Sequence, residues 1–125
     1  MIASAKSGRL TLPARLRLRH KGDFDAAYAR GRRMSDGFFS VTVKVNDAGN
    51  PRLGLAVAVK VAGNSVARNR LRRIIRESFR LHQRELPAVD LVVSARPPSR
   101  TASAETLRAS LAVLWQKVGA QCAAS

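Results

Sequence analysis

Cysteine is almost missing from this 125-residue chain: Cys122 stands alone. No intrachain disulfide can form, which suits a reducing compartment such as the cytoplasm. Acidic residues are scarce too, 8 in all, and they are scattered rather than clustered. A self-sufficient metal-dependent nuclease is expected to gather carboxylates or paired acid–base groups, and no such gathering is visible. His20 and His82 are isolated, with no cysteine or second histidine at ligand spacing, which argues against a zinc site. Uninterrupted apolar runs long enough for a bilayer are lacking. Met1-Ile2-Ala3-Ser4-Ala5-Lys6 is not followed by the apolar stretch of a secretory signal. Aromatic residues make up 5% of the chain, and the basic segments lack the large aromatic face of a membrane-surface helix.

Positive charge is abundant instead. There are 23 Lys and Arg against 8 Asp and Glu, a formal net charge of +15. Such an excess opposes compaction unless a polyanion neutralises it. Its distribution is uneven: residues 1–33 and residues 60–84 each carry +7, residues 34–59 are neutral, and residues 85–125 add +1. Apolar residues amount to 46%, enough for a folded core, and the length suits one domain. The expected organisation is a mobile basic tail over 1–12, a folded polyanion-binding domain over 13–118 and a frayed end over 119–125.

Periodicity marks the elements. Asp23 to Arg30 reads as a short helix, capped by Asp23 and closed by Gly31 in a left-handed conformation, with Phe24 and Tyr28 on one face. Arg32 to Ser35 suits a short edge strand. Phe38 to Val45 alternates, with Phe39, Val41, Val43 and Val45 on one side and Phe38, Ser40, Thr42 and Lys44 on the other. Asn46-Asp47-Ala48-Gly49-Asn50-Pro51 is a turn. Arg52 to Val59 follows as a strand with a bulky face (Leu53, Leu55, Val57, Val59) and a bare one (Gly54, Ala56, Ala58), expected to pair back as a hairpin. Ser65 to about Arg84 is the strongest helix, capped by Asn64 or Ser65, with Leu71, Ile74, Ile75 and Phe79 in an apolar stripe. Val89 to Ala95 is a further strand. Ser103 caps a last helix running to about Val118, with Leu107, Leu111, Leu114, Trp115 and Val118 on its core face. Strands and helices without strict alternation suggest an α+β sandwich.

One segment points to function. In Arg68-Asn69-Arg70-Leu71-Arg72-Arg73-Ile74-Ile75-Arg76, five of nine residues are arginine, and Glu77 is the one nearby acid. Solvated helix faces usually mix both signs. A row of like charges is costly unless it meets phosphate, which the planar guanidinium fork binds through two parallel hydrogen bonds.

Gly54-Leu55-Ala56-Val57, then Lys60, then Arg68-Asn69-Arg70-Leu71-Arg72-Arg73-Ile74-Ile75-Arg76-Glu77-Ser78-Phe79-Arg80 resembles the signature of the bacterial ribonuclease P protein family. Leu16-Arg17 with Asp23-Phe24, Arg30-Gly31-Arg32, and Asp90-Leu91-Val92-Val93-Ser94-Ala95-Arg96-Pro97 extend the resemblance over residues 12–118. It implies a single-domain αβββαβα sandwich on a four-stranded mixed sheet. The βαβ crossover would be left-handed, against the ~98% right-handed rule. It implies a non-catalytic subunit: the RNA cuts with its own Mg²⁺, and the protein holds no cofactor or metal. The partners would be the catalytic RNA and precursor tRNA, with no membrane and no obligate protein partner. Lys60, Arg68, Asn69, Arg70, Arg72, Arg73, Arg76 and Arg80 would bind RNA. Phe24, Tyr28, Phe39 and Thr42 would line a cleft for the unpaired 5′ leader, over which the bare Gly54–Ala58 face would let RNA lie close. Two departures stand out: Val59-Lys60 replaces a pair of adjacent lysines, and Thr42 replaces a residue that is often aromatic. Charge and architecture alone also fit a ribosomal or general RNA-binding protein; a DNA-binding module or an independent nuclease fits less well.

Overall fold

In the computed structural model, which describes residues 12–124, a 3-10 turn (Ala14–Leu16) leads into helix α1 (Lys21–Arg30) and strands β1 (Arg32–Ser35), β2 (Phe39–Val45) and β3 (Arg52–Leu55). A one-turn helix α2 (Val59–Ala62), the long helix α3 (Ser65–His82), strand β4 (Val89–Ala95) and helix α4 (Ala104–Ala124) complete the chain. The four strands form one mixed sheet in the order β1-β2-β4-β3, so the architecture is α+β as expected. β2 is antiparallel to both β1 and β4, and β3 runs parallel to β4.

The expected β2–β3 hairpin does not form. The turn does reverse the chain: Ala48 N–H donates to Asn46 Oδ1 at 2.9 Å, and Gly49 takes φ 82°. The two strands nevertheless stand one strand apart, with β4 between them. The reason lies in composition. Val89, Leu91, Val92 and Val93 are buried on both faces of β4, and a strand apolar on both faces belongs in the sheet centre. β3 is also shorter than expected. Ala56 N–H still reaches Val93 O at 2.9 Å, but the chain then coils into α2, and Val59 is exposed.

The sheet has one thick face and one thin one. Phe39, Val41, Val43, Leu53, Leu91 and Val93 pack against Leu71, Ile75 and Phe79 of α3 and Leu107, Leu111, Leu114 and Trp115 of α4. Trp115 meets Phe79 edge to face at 6.1 Å and donates its indole N–H to Ser78 Oγ at 2.8 Å. On the opposite face α1 lies across β2 and β4, where Leu18, Ala27 and Val92 form a small cluster with Phe24 and Ala56.

Helix ends follow local chemistry, with three corrections. Asn64 accepts from Ala67 N–H at 2.8 Å to cap α3, and Ser103 accepts from Thr106 N–H at 3.1 Å before α4, both as expected. α1 starts at Lys21, and Asp23 sits inside its first turn rather than capping it. Gly31 ends α1 with φ −83°, not in the left-handed region. It is needed for close approach instead: a Cβ there would stand 2.4 Å from Ala27 O and 2.8 Å from Val43 O. α4 continues to Ala124, past the expected fraying point. The expected tail lies outside the described residues except for Leu12, which is buried in the core.

Candidate nucleic-acid interface

The stripe Leu71, Ile74, Ile75, Ser78 and Phe79 turns one side of α3 into the core, so the helical period delivers the arginines to the other side. Among the described residues the ion pairs are Lys21–Asp25 and Arg52–Asp90, and neither involves α3. Arg68 and Arg70 are braced by backbone: Arg68 Nε donates to Val57 O at 2.9 Å, and Arg70 Nη2 donates to Ala102 O at 3.2 Å. Arg72 and Arg76 are half-buried, and Asn69 and Arg73 are exposed. Partial burial, together with the charges of Arg72, Arg73 and Arg17, draws the Arg76 guanidinium below its ordinary pKa. The guanidinium stays protonated at any ordinary pH. Burial is the larger cause, and the neighbouring guanidinium charges add a repulsion that a bound anion would relieve. Arg80 Nε is buried and has no hydrogen-bond partner among the described residues. Glu77 borders a different concavity, with Leu81, His82 and Arg108. Lys60 is exposed on α2, whose Lys60 and Val61 carbonyls accept from Arg100 at 3.1 and 3.2 Å.

The expected leader cleft divides in two. Phe24 covers Gly54 so closely that a Cβ there would meet its ring at 2.8 Å. Gly54 of β3 and Ala56 just beyond it therefore seat α1, and the expected bare face for RNA is filled at these two residues. Phe24 also borders a cleft at the β3 edge with Arg17, Arg19, Leu55, Arg72 and Arg76. Tyr28, 56% exposed, borders a separate trough with Gly31, Arg33, Ser40, Thr42 and Ser94. There Arg33 Nε donates to Ser40 Oγ at 2.8 Å, fixing a cation at the rim. At about 240 Å³ the trough falls below the usual range for pockets that enclose small molecules. Phe39 does not belong to it. It is fully buried on the thick face, because residues 39 and 42 of one strand point to opposite sides.

Sequence reasoning missed three arginines: Arg17 and Arg19 beside α3, and Arg33 at the trough. The alternation Arg15-Leu16-Arg17-Leu18-Arg19 is the signal that could have found the first two, since Leu16 and Leu18 are buried and the arginines exposed. Among the described residues no three His, Cys, Asp or Glu side chains come together to hold a metal ion, and no helix is long and apolar enough to cross a membrane.

Fold and site together define an α+β protein whose cationic helix face, without a carboxylate partner among the described residues, lies beside a groove. The Ribonuclease P family matches residues 12–119. The ribonuclease P protein component of Thioalkalivibrio sulfidiphilus is 36% identical over 111 residues, covering 89% of this chain and 92% of that one. The component of Escherichia coli O157:H7 is 36% identical over 109 residues, 87% and 92% of the two chains. The solved ribonuclease P protein of Staphylococcus aureus superposes with a TM-score of 0.76 at 32% identity, covering 82% of this chain and 94% of that one. That of Thermotoga maritima gives 0.75 at 30% identity, with 82% and 96% covered. The chain belongs to the ribonuclease P protein family. It is thus a protein subunit of an endoribonuclease of tRNA 5′ processing, and its partner is RNA. The motif train separates it from a ribosomal protein of similar architecture.

Proposed function

We propose that α3 clamps the catalytic RNA of ribonuclease P through its phosphates, while the trough beside Tyr28 holds the unpaired 5′ leader of precursor tRNA. The observation that carries this reading is the guanidinium row of Arg72, Arg73 and Arg76, which no carboxylate answers among the described residues. Phosphate binding of this kind supplies affinity without sequence preference. Base stacking on Tyr28 would add ~1–3 kcal/mol per nucleotide and would likewise tolerate any leader. Thr42 lines the same trough with a hydroxyl rather than a ring, so Tyr28 supplies its aromatic wall. Bond cleavage falls to the RNA, with Mg²⁺ bound by the RNA activating water. The protein requires no cofactor of its own, and the site of action is the cytoplasm.

Two measurements test this. The isolated chain should leave precursor tRNA intact at any Mg²⁺ concentration, yet allow its RNA partner to cleave when Mg²⁺ is low. Metal-dependent cutting by the protein alone would overturn the division of roles. Tyr28→Ala should remove ~1–3 kcal/mol of the preference for leader-bearing over leaderless substrate. Equal loss on both substrates would count against the trough.

A further inference from the structure

The basic surface of α3 does not stop at the sheet edge. Residues 15–19 run beside β3, joined to it by a parallel bridge between Arg17 and Leu53 and by Leu18 N–H donating to Leu53 O at 2.8 Å. The pairing turns Leu16 and Leu18 inward and leaves Arg15, Arg17 and Arg19 exposed. Arg17 and Arg19 border two concavities at once. One they share with Arg72 and Arg76. The other lies against the β2–β3 turn, where Arg15, His20, Asn50 and Arg52 complete the rim.

This second concavity is cationic and pre-formed. Arg52 is committed to Asp90, through Nε to Oδ1 at 2.8 Å and Nη2 to Oδ2 at 2.9 Å. Arg15, Arg17 and Arg19 pair with no carboxylate among the described residues, and Asp23 is the one acid on the rim. Asn50 Nδ2 donates to Arg15 O at 3.0 Å and to Pro51 O at 2.9 Å, so the turn and the arginine segment are held together. Several convergent guanidinium groups on a braced wall select an anion with many acceptor oxygens, and phosphate fits that description.

We infer that Arg15, Arg17 and Arg19 form a second phosphate-binding station at the β3 edge, which seats the phosphodiester backbone of the same folded RNA that α3 grips. This rests on the α3 reading above. Continuity assigns the station to folded RNA rather than to the leader. Arg17 is close enough to Arg76 to repel it, whereas the Tyr28 trough shares no lining residue with either concavity. The RNA path would therefore cross the β3 edge instead of ending with α3.

The test is the salt dependence of full-chain binding to its catalytic RNA. Arg15→Ala with Arg19→Ala should make the slope of log affinity against log salt shallower by about two, roughly one for each phosphate no longer neutralised. Lysine at both positions should restore the slope, because it counts charges. Arg84→Ala with Arg108→Ala removes two exposed charges outside both concavities and should leave the slope in place. Melting temperatures report whether each variant folds, and Arg15→Gln with Arg19→Gln, which removes the charges but keeps longer polar side chains, should show the same shallower slope if the alanine pair does not fold. A slope unchanged by the alanine pair, in a chain whose unaltered form activates the RNA, overturns the station and leaves the α3 reading standing. A slope defect that appears only with leader-bearing precursor overturns the assignment to folded RNA. Failure of the unaltered chain to activate the RNA removes the reading on which the station rests.

Discussion

The two faces of the sheet are made by the same strands and carry opposite burdens. On one, large side chains from β2, β3 and β4 interlock with two helices, and Phe39, Ile75, Phe79, Leu111 and Trp115 are almost wholly buried. On the other, Leu18, Ala27 and Val92 are the buried apolar residues, and Ser40, Thr42 and Ser94 leave a polar trough beside α1. Stability is concentrated between the sheet and the two helices α3 and α4, and the thinly covered face keeps an uncovered polar trough. Charge is divided within α3 itself, which buries its apolar stripe in the thick layer and presents arginines along the side that the core does not use.

Substitutions at matched positions on the two faces break or sharpen this comparison. The largest effect belongs to Trp115→Ala, which empties the thick face and leaves Ser78 without its indole donor. It should cost ~3–5 kcal/mol, read as a lower urea midpoint with an unchanged slope. Leu18→Ala on the thin face should lie near the low end of the Leu→Ala range, about 2 kcal/mol. Equal costs would mean that the two faces do not differ in how much stability they hold. Next comes Gly54→Ala. Its methyl group would meet the Phe24 ring at 2.8 and 2.9 Å and Leu18 Cβ at 3.1 Å. Overpacking of this kind costs ~1–3 kcal/mol. Phe24→Leu in the same chain should recover part of the loss, a coupling measurable as a double-mutant cycle. Strict additivity would mean that Phe24 does not depend on the missing side chain.

The same asymmetry explains what is legible in the sequence. α3 and β4 can be read almost residue for residue, because their apolar periods are set by burial against a thick core. The turn at Asn46–Pro51 is legible as a reversal, since Asn, Gly and Pro act locally. The partner of β2 is not, because strand order depends on which strand is apolar on both faces, a comparison made across the whole chain. The arginine row is plain from its one-signed charge. The cleft is harder. Phe24 and Tyr28 lie four apart in α1, yet one packs on Gly54 and the other borders the trough. Placing Phe39 in the cleft overlooks its own alternation with Thr42, which assigns the two residues to opposite faces. The alternation from Arg15 to Arg19 announces that Arg17 and Arg19 face outward, but not that they stand beside α3, which depends on a single bridge to β3.

The smallest predicted effect concerns the junction that ties the thick face to the β1–β2 turn. Asp36 Oδ1 accepts from Phe38 N–H at 2.8 Å and Phe39 N–H at 2.9 Å, and Oδ2 accepts from Ser110 of α4. Burial pushes this carboxyl upward. The Ser110 hydroxyl, the two backbone N–H groups and the nearby Lys117 charge outweigh it, so its pKa lies below the ordinary 3.8. A carboxylate lowered in the folded state binds its proton more readily in the unfolded chain. Its contribution to stability is therefore complete above the ordinary value and is lost as pH falls through the folded value. Asp36→Asn should lower stability at neutral pH, and the gap to the unaltered chain should narrow steadily below about pH 4, as measured by urea unfolding across pH. A gap independent of pH would show that the side chain acts through shape alone. Because the junction borders neither the arginine row nor the Tyr28 trough, RNA affinity at neutral pH should not change. A parallel loss of RNA binding would mean that the junction is coupled through α4 to the surfaces that meet RNA.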